Sequence, residues 1–297
     1  MIRKSAALTD GAVSYLEWDG DGPALHFAHA NGFNALTYRT LLQPLSDRLL
    51  LYASDLRGHG MTSLPARPGM AKNWRIYRND LIHFLEMLPQ RPLILAGHSM
   101  GATASVMAAA LRPDLVRGLV LVEPVFMPAL LALTGRLLRK IGMTPRGYDL
   151  VEKTARRREF FPSVDAAFAA YRGRGIFKLW PGQQLRDYLD GGLLPTSDGQ
   201  MRLACAPAWE AEDFRETPLF MPRLASSIRC PVTLLHGDQP GSTCNDAQAA
   251  AFQRRKLDAR IVKVRGASHF LPMEMPDLVR AEITRLSDAL HLEKRAA

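Results

Sequence analysis

The sequence from Leu93 to Gly101 constrains the fold more than any other part of the chain. It is LILAGHSMG, an apolar strand running into the pattern G-x-S-x-G, and a helix of small residues from Met100 to Leu111 follows at once. A serine between a strand and a helix lies on a turn so tight that only glycine fits at the flanking positions. The turn holds the hydroxyl above the sheet edge beside the next backbone N–H. Ser99 is therefore predicted to be a nucleophile with half an oxyanion hole.

Strand-like and helix-like segments alternate on both sides of this turn. Apolar runs predict strands at 12–18, 25–28, 49–54, 93–98, 118–123, 231–236 and 260–264. Three-and-four spacing of apolar residues predicts helices at 38–48, 73–88, 100–111, 247–257 and from Pro276 onwards. Such alternation predicts an α/β fold with a doubly wound, mostly parallel sheet, in which ligands bind at the carboxyl ends of the strands.

The alternation stops between residues 124 and 222. This stretch has helical pieces rich in arginine and aromatic residues, broken by glycine and proline. We predict an α/β core formed by 1–123 and 223–297, with 124–222 inserted as a helical cap or lid. Trp180 and Tyr188 of the cap, together with Phe33 of the core, are candidates for lining a substrate pocket. Packing of the cap onto the core is the alternative use for each of these rings.

Composition excludes several classes of protein. A chain of 297 residues with 47% hydrophobic content can bury one large core. The formal charge of +9 is spread along the chain, and its densest run, Arg156–Arg158, is typical of the solvated face of a helix, so no nucleic-acid partner is predicted. The three cysteines lack metal or disulfide spacing, and no segment has the length of a signal peptide core or a membrane span. We therefore expect a cytoplasmic protein without a membrane partner.

Four motifs, in this order, resemble those of the α/β-hydrolase fold family. The family's H-G-x turn corresponds to His29-Ala30-Asn31, its D-x-R-G-x-G loop to Asp55–Gly60, its nucleophile turn to Gly97–Gly101 and its terminal G-x-x-H-F to Gly266–Phe270. The resemblance covers nearly the whole chain outside the cap and is closest to capped serine hydrolases. The residues at the end of the predicted strand 118–123 and the turn after the predicted strand 25–28 are also similar to those of haloalkane dehalogenases. Those enzymes use an aspartate nucleophile, so Ser99 disfavours dehalogenase and epoxide hydrolase chemistry.

The resemblance implies roles for the residues around the nucleophile. His269 is the implied base for Ser99, because it alone among eight histidines combines the family position with a loop. The implied oxyanion donors are the backbone N–H groups of Met100 and Asn31, and the Asn31 side chain could add another. Ala30 departs from the family pattern, which usually has glycine there.

Two residues are alternatives for the acid of the triad. In the family the acid most often lies three residues after the glycine that ends the seventh strand of the sheet. That glycine is Gly237 here, after the predicted strand 231–236, and the position is Pro240, which cannot orient an imidazole. Asp238 lies beside that glycine. Glu123 lies at the end of the predicted strand 118–123, the other position at which the family places the acid. A buried carboxylate there needs a partner such as the N–H of His269. We favour Glu123 and keep Asp238 as the alternative.

The function that these residues predict is hydrolysis of a small carboxylic ester through an acyl-enzyme on Ser99, without a metal or other cofactor. Lactone, amide or carbon–carbon bond hydrolysis would use the same groups, and the cap would select among them. The rival from another class is a ligand-binding receptor with a vestigial triad.

Overall fold

An eight-stranded sheet forms the centre of the molecule. The computed structural model describes residues 1–67, 69–126, 148–218 and 224–296. The strands of both sheets in the described chain are β1 (Ile2–Leu8), β2 (Gly11–Trp18), β3 (Ala24–Ala28), β4 (Leu50–Ser54), β5 (Leu93–His98), β6 (Val116–Val122), β7 (Phe160–Phe161), β8 (Leu193–Pro195), β9 (Met201–Leu203), β10 (Val232–Gly237) and β11 (Arg260–Val264). The central sheet has the order β1-β2-β4-β3-β5-β6-β10-β11. Pairing is antiparallel from β1 through β2 to β4 and parallel from β4 onwards.

Helices cover both faces of this sheet. The α-helices are α1 (Arg39–Leu42), α2 (Arg75–Met87), α3 (Met100–Leu111), α4 (Tyr148–Ala155), α5 (Val164–Tyr171), α6 (Gly182–Gly192), α7 (Pro207–Arg215), α8 (Asp246–Gln253), α9 (Leu271–Glu274) and α10 (Pro276–Ala296). One apolar core contains buried residues of α2, α3 and α8, and a second contains those of α1, α6 and α10. The predicted doubly wound α/β fold is confirmed. None of the described helices is long and apolar enough to span a membrane.

The register of the sheet brings the ends of four parallel strands to one edge. Ala28 of β3 pairs with Gly97 of β5, and His98 of β5 pairs with Val122 of β6. Val122 is also opposite Leu235 of β10. The residues that directly follow these strands therefore meet in space. They include the turn at His29, the serine at position 99 and the glutamate at position 123.

The close approach of α3 to the sheet depends on small residues. Nearly every residue of this helix is buried, including Ala102, Ala104, Ala108 and Ala109. A Cβ atom on Gly101 would lie 2.2 Å from the carbonyl oxygen of Ala28, so no larger residue fits there. This packing fixes the start of α3 against the end of β3, where the predicted nucleophile and the predicted oxyanion turn lie.

The inserted segment between β6 and β10 contains more than helices. Helices α4 to α7 lie within it, and β7, β9 and β8 form a separate three-stranded antiparallel sheet. These strands have only two or three residues each, too short for a hydrophobic pattern. Residues 127–147 and 219–222 of the predicted cap lie outside the described part, and the boundaries at 124 and 222 remain predictions.

Candidate active site

Ser99 lies in a strained turn between β5 and α3. Its φ is +54°, which is rare for a residue with a side chain and is maintained only where the surroundings enforce it. The backbone is held from both sides, because the Ser99 N–H donates to Val122 at 2.9 Å and the Ser99 carbonyl accepts from Thr103 at 3.0 Å. A Cβ on Gly97 would come within 2.7 Å of the next helical backbone. The turn therefore presents Ser99 in one fixed orientation.

His269 is held beside this turn by its own backbone. The neutral His98 ring, one residue before the serine, donates from Nε2 to the His269 carbonyl oxygen at 2.7 Å. The centroids of the two imidazole rings are 4.9 Å apart. Burial lowers the pKa of His98 well below 6.5, so its ring stays neutral. The Tyr38 hydroxyl, which accepts the Ala30 N–H at 3.1 Å, lies 2.8 Å from His98 Nδ1. One chain of hydrogen bonds thus joins the predicted oxyanion turn to the predicted base.

Glu123 is completely buried against His269. Its Oε2 lies 3.4 Å from His269 Nδ1. Its two carboxylate oxygens also accept the Gly237 N–H at 2.6 Å, the Ser242 hydroxyl at 2.8 and 2.9 Å and the Thr243 N–H at 2.8 Å. Burial raises the pKa of this carboxyl, but the hydrogen bonds outweigh burial and hold the pKa below its ordinary value of 4.5. Glu123 is therefore ionised, and its φ of +49° marks a second strained position at the sheet edge.

Asp238, the alternative acid, is exposed and has other partners. Its Oδ1 accepts the Gly266 N–H at 2.8 Å and contacts the Gln239 amide at 3.0 Å. These hydrogen bonds lower the pKa of the Asp238 carboxyl, with that from Gly266 first. Its described contacts join the β10 loop to the β11 loop. Of the two alternatives, Glu123 is the carboxylate that contacts His269.

The predicted oxyanion turn is tightly bonded. In this turn the Ala30 N–H donates to the Tyr38 hydroxyl, and the Phe33 N–H donates to the Ala30 carbonyl. The Gly32 N–H donates to His59 Nε2 at 3.0 Å. Within the described chain, the protein offers the intervening Asn31 N–H no acceptor. The left-handed conformation falls on Gly32, with φ of +73°, and not on Ala30. Alanine is therefore compatible with the turn although the family usually has glycine there.

The side chain of Asn31, which the sequence suggests as an extra oxyanion donor, contacts two neighbouring elements. Its Nδ2 donates to the Glu210 carbonyl of α7 at 3.0 Å, and its Oδ1 lies 3.2 Å from His59 Nε2. The amide thus connects the turn to the inserted segment. Met100, the other predicted donor, is the first residue of α3, where backbone N–H groups have no partner within the helix.

The three predicted pocket residues form one aromatic cluster. Phe33 contacts Trp180 and Tyr188 edge-on, with ring centroids 5.5 and 5.6 Å away, and stacks on Phe270 at 6.2 Å. Phe270 directly follows the predicted base. All three predicted rings are at least nine-tenths buried. The cluster joins the inserted segment to the His269 loop, a position compatible with packing and with the wall of a pocket.

The alpha/beta hydrolase family model matches residues 27–282 of the chain. The chain belongs to the α/β-hydrolase family. It is 28% identical to 2-(acetamidomethylene)succinate hydrolase from Mesorhizobium japonicum over 271 residues, 91% of this chain and 90% of that protein. It is 24% identical over 282 residues to (E)-2-((N-methylformamido)methylene)succinate hydrolase from Acinetobacter baylyi, covering 94% and 95% of the two chains. A crystal structure of E-2-(acetamidomethylene)succinate hydrolase has a TM-score of 0.75 at 26% identity, over 97% and 99% of the chains.

One arginine of this α/β-hydrolase that the sequence predicts to be solvent-exposed is partly buried. The run Arg156–Arg158 follows α4, and while Arg156 is exposed, only 24% of the Arg157 side chain is. Arg157 makes a short ion pair with Glu210 and contacts the Tyr188 hydroxyl at 3.2 Å. The predicted solvated helix face is therefore wrong for Arg157, because the chain turns after α4 and directs this side chain inward. Together with Gly32, these residues line a small crevice behind the Asn31 turn.

Several residues that shape the hydrolase site were not predicted from sequence. Ser242 and Thr243 bind Glu123, and Tyr38 bonds the predicted oxyanion turn to His98. The only sequence signal for Ser242 and Thr243 is their place in the loop after β10. Among the described residues, no group of three or more His, Cys, Asp or Glu side chains is arranged to hold a metal ion. That finding does not test the prediction that the enzyme needs no cofactor.

Proposed function

We propose that the protein is a serine hydrolase that forms an acyl-enzyme on Ser99. His269 acts as the base, Glu123 as the acid of the triad, and the N–H groups of Asn31 and Met100 bind the oxyanion. The contact of the ionised Glu123 with His269 Nδ1 supports this proposal most directly. A carboxylate beside Nδ1 favours the tautomer that carries its proton there, which leaves Nε2 free to take the serine proton.

The proposed reaction has two halves. Ser99 Oγ attacks the substrate carbonyl while His269 Nε2 takes its proton, and the negative charge forms on the oxygen between the two backbone N–H groups. The imidazolium then donates the proton to the leaving group. Water attacks the acyl-enzyme with His269 again as base, and the acid product leaves Ser99 regenerated. The lowered pKa of Glu123 keeps the carboxylate charged throughout, so that it stabilises the imidazolium.

We propose carboxylic esters as substrates, with Phe33, Trp180 and Tyr188 against the acyl or alcohol group. Amides are the second candidate, because the two relatives that cover more than nine-tenths of the chain are named for substrates with an acylated nitrogen. Those names also describe substituted succinates, which carry two carboxylates. Esters and amides of such acids therefore belong in the same substrate panel, alongside lactones and cleavable diketones.

Replacement of Ser99 by alanine tests the proposal. We expect Ser99→Ala to abolish labelling by a fluorophosphonate probe and to lower turnover of p-nitrophenyl esters on the order of 10⁴-fold or more. The matched control is Ser105→Ala, a buried serine further along α3, whose hydroxyl bonds the Gly101 carbonyl at 2.8 Å. A p-nitroanilide with the same acyl group distinguishes amide from ester hydrolysis. Undiminished labelling of Ser99→Ala would contradict the proposal, and wild-type protein that binds but never turns over the panel would favour the receptor alternative.

A further inference from the structure

The nearest acceptor to the N–H of the predicted base is a hydroxyl and not the carboxylate. Thr243 Oγ1 lies 3.1 Å from His269 Nδ1, whereas Glu123 Oε2 lies 3.4 Å away. Hydrogen bonds from N–H to oxygen are commonest between 2.7 and 3.2 Å, so the threonine contact is inside this range and the carboxylate contact is beyond it. The imidazole is therefore oriented by at least two oxygens.

Counting protons assigns the direction of the threonine contact. The Thr243 hydroxyl carries one proton, and its shortest acceptor is the Glu123 backbone carbonyl at 2.9 Å. A lone pair on Oγ1 is then left for His269 Nδ1–H. The opposite arrangement, with the hydroxyl donating to a bare Nδ1, would place that nitrogen against a carboxylate with no proton between them.

Thr243 is held in place by two hydrogen bonds to Glu123. Its backbone N–H donates to Glu123 Oε2 at 2.8 Å while its hydroxyl bonds the carbonyl of the same glutamate. Because threonine is branched at Cβ, its χ1 angle has few alternatives. The hydroxyl is thus held at a set position relative to the carboxylate.

We propose that Thr243 is a positioning residue of the catalytic machinery, whose hydroxyl accepts the Nδ1–H of His269 and holds the ring in the tautomer that leaves Nε2 free. This inference rests on the proposed function. Thr243 acts through His269 and stabilises the imidazolium together with Glu123.

Thr243→Val and Thr243→Ser test the role of the hydroxyl. Valine keeps the branched shape and removes the acceptor, so we expect kcat for a p-nitrophenyl ester to fall about 10- to 100-fold with KM unchanged. Without the acceptor the imidazolium is less stable, and the acid limb of the pH profile of kcat/KM should move to lower pH. Serine retains the hydroxyl and should restore kcat to within about threefold of wild type.

The matched control is Thr103→Val. Thr103 lies at the same sheet edge, is buried, and bridges both backbone groups of Val125 through its hydroxyl, at 3.0 Å from the N–H and 3.3 Å from the carbonyl. It should leave the pH profile in place. If Thr243→Val does not fold, Thr243→Ala removes the same hydroxyl with less bulk and should show the same shift.

Two results would overturn the inference. One is a Thr243→Val or Thr243→Ala enzyme with wild-type kcat and pH profile, and the other is a Thr243→Ser enzyme as impaired as the valine variant. The result for Ser99→Ala separates this inference from the proposed function. Inactive Ser99→Ala with normal Thr243 variants rejects only the role of Thr243, whereas active Ser99→Ala rejects the proposed function itself.

Discussion

Two buried carboxylic acids of this hydrolase have pKa values shifted in opposite directions. Glu123, at the end of β6, has a pKa held below its ordinary value, and Asp213, in α7 of the inserted segment, has one raised well above 3.8. Both side chains are shielded from solvent. Glu123 accepts hydrogen bonds from the loops after β10 and β11, whereas Asp213 Oδ1 accepts one, from the Tyr77 hydroxyl at 2.5 Å. Asp213 Oδ2 has no partner in the described structure.

The comparison shows that the number of donors, and not burial alone, decides whether a buried acid is charged. Burial is the largest influence on both carboxyls and raises the pKa of each. At Glu123 the hydrogen bonds from His269, from the Gly237 N–H and from the Ser242 hydroxyl reverse its effect, because the end of β10 and the loops after β10 and β11 bring these donors to one place. At Asp213 the neighbouring Glu210 and Glu212 add to it. The charge thus exists where the proposed chemistry needs it, at the edge of the parallel sheet.

The largest expected effect is on the charged acid. Glu123→Gln removes the negative charge beside His269 and places an amide N–H₂ against backbone donors, so turnover should fall by as much as about 10⁴-fold, the loss known for this change in chymotrypsin-type triads. Asp238→Asn is the control and should retain turnover within a few-fold, because Asp238 contacts Gly266 and Gln239. Steady-state rates on one ester decide the question. Normal turnover in Glu123→Gln with a loss in Asp238→Asn would move the acid to the β10 loop.

Much of the central fold could be predicted because its pattern is local. Helix α3 and strands β5 and β11 have the predicted bounds, and the remaining predicted parallel strands differ by one or two residues at one or both ends. Strand β1 was missed because it is an edge strand whose first four residues are exposed, so it carries no apolar alternation. The predicted helix at 38–48 is shorter and flanked by 3₁₀ turns, with Pro44 in the second turn.

The predicted site residues belong to sequence motifs, whereas the residues that contact them are identified only by the tertiary structure. Ser99 and Glu123 directly follow β5 and β6, so the sheet register brings them to one edge, and His269 lies in the loop after β11, where its carbonyl bonds His98. Thr243 and Arg157 have no such signal. Thr243 reaches Glu123 across 120 residues of sequence, and Arg157 reaches Glu210 across 53. A pattern in one sequence does not encode which loop folds onto which carboxylate.

Asp213→Asn should change stability with a pH dependence opposite to that of Glu123. An acid whose pKa is raised by folding keeps its proton while the unfolded chain loses it, so stability falls as pH rises from about 3.8 towards the folded pKa, by about 1.4 kcal/mol per pH unit. Asparagine removes this loss. The stability of Asp213→Asn relative to wild type, measured by urea unfolding, should therefore increase between pH 5 and pH 7.

Glu123→Gln provides the contrasting measurement. The lowered pKa of Glu123 stabilises the folded state above its ordinary value of 4.5, and this contribution is lost as pH falls through the folded pKa. The stability of Glu123→Gln relative to wild type should therefore recover as pH falls through that range. An Asp213→Asn difference that stays constant with pH would show that Asp213 is not the neutral acid of the comparison.

The smallest expected effect is that of removing the one side-chain donor to the Asp213 carboxyl among the described residues. Tyr77→Phe leaves the ring in its buried place and deletes the hydroxyl that bonds Oδ1. If Asp213 is neutral, the lost bond joins two uncharged groups, and the free energy of unfolding should fall by about 1 kcal/mol, equally at pH 5 and pH 7. Tyr52→Phe, in the same apolar core, is the control and should change it by less than about 0.5 kcal/mol. A Tyr77→Phe penalty that grows with pH would mean that the hydroxyl supports a carboxylate, because hydrogen bonds to charged groups contribute about 1.5 to 3 kcal/mol. Asp213 would then resemble Glu123, and one donor would suffice to ionise a buried acid in this protein.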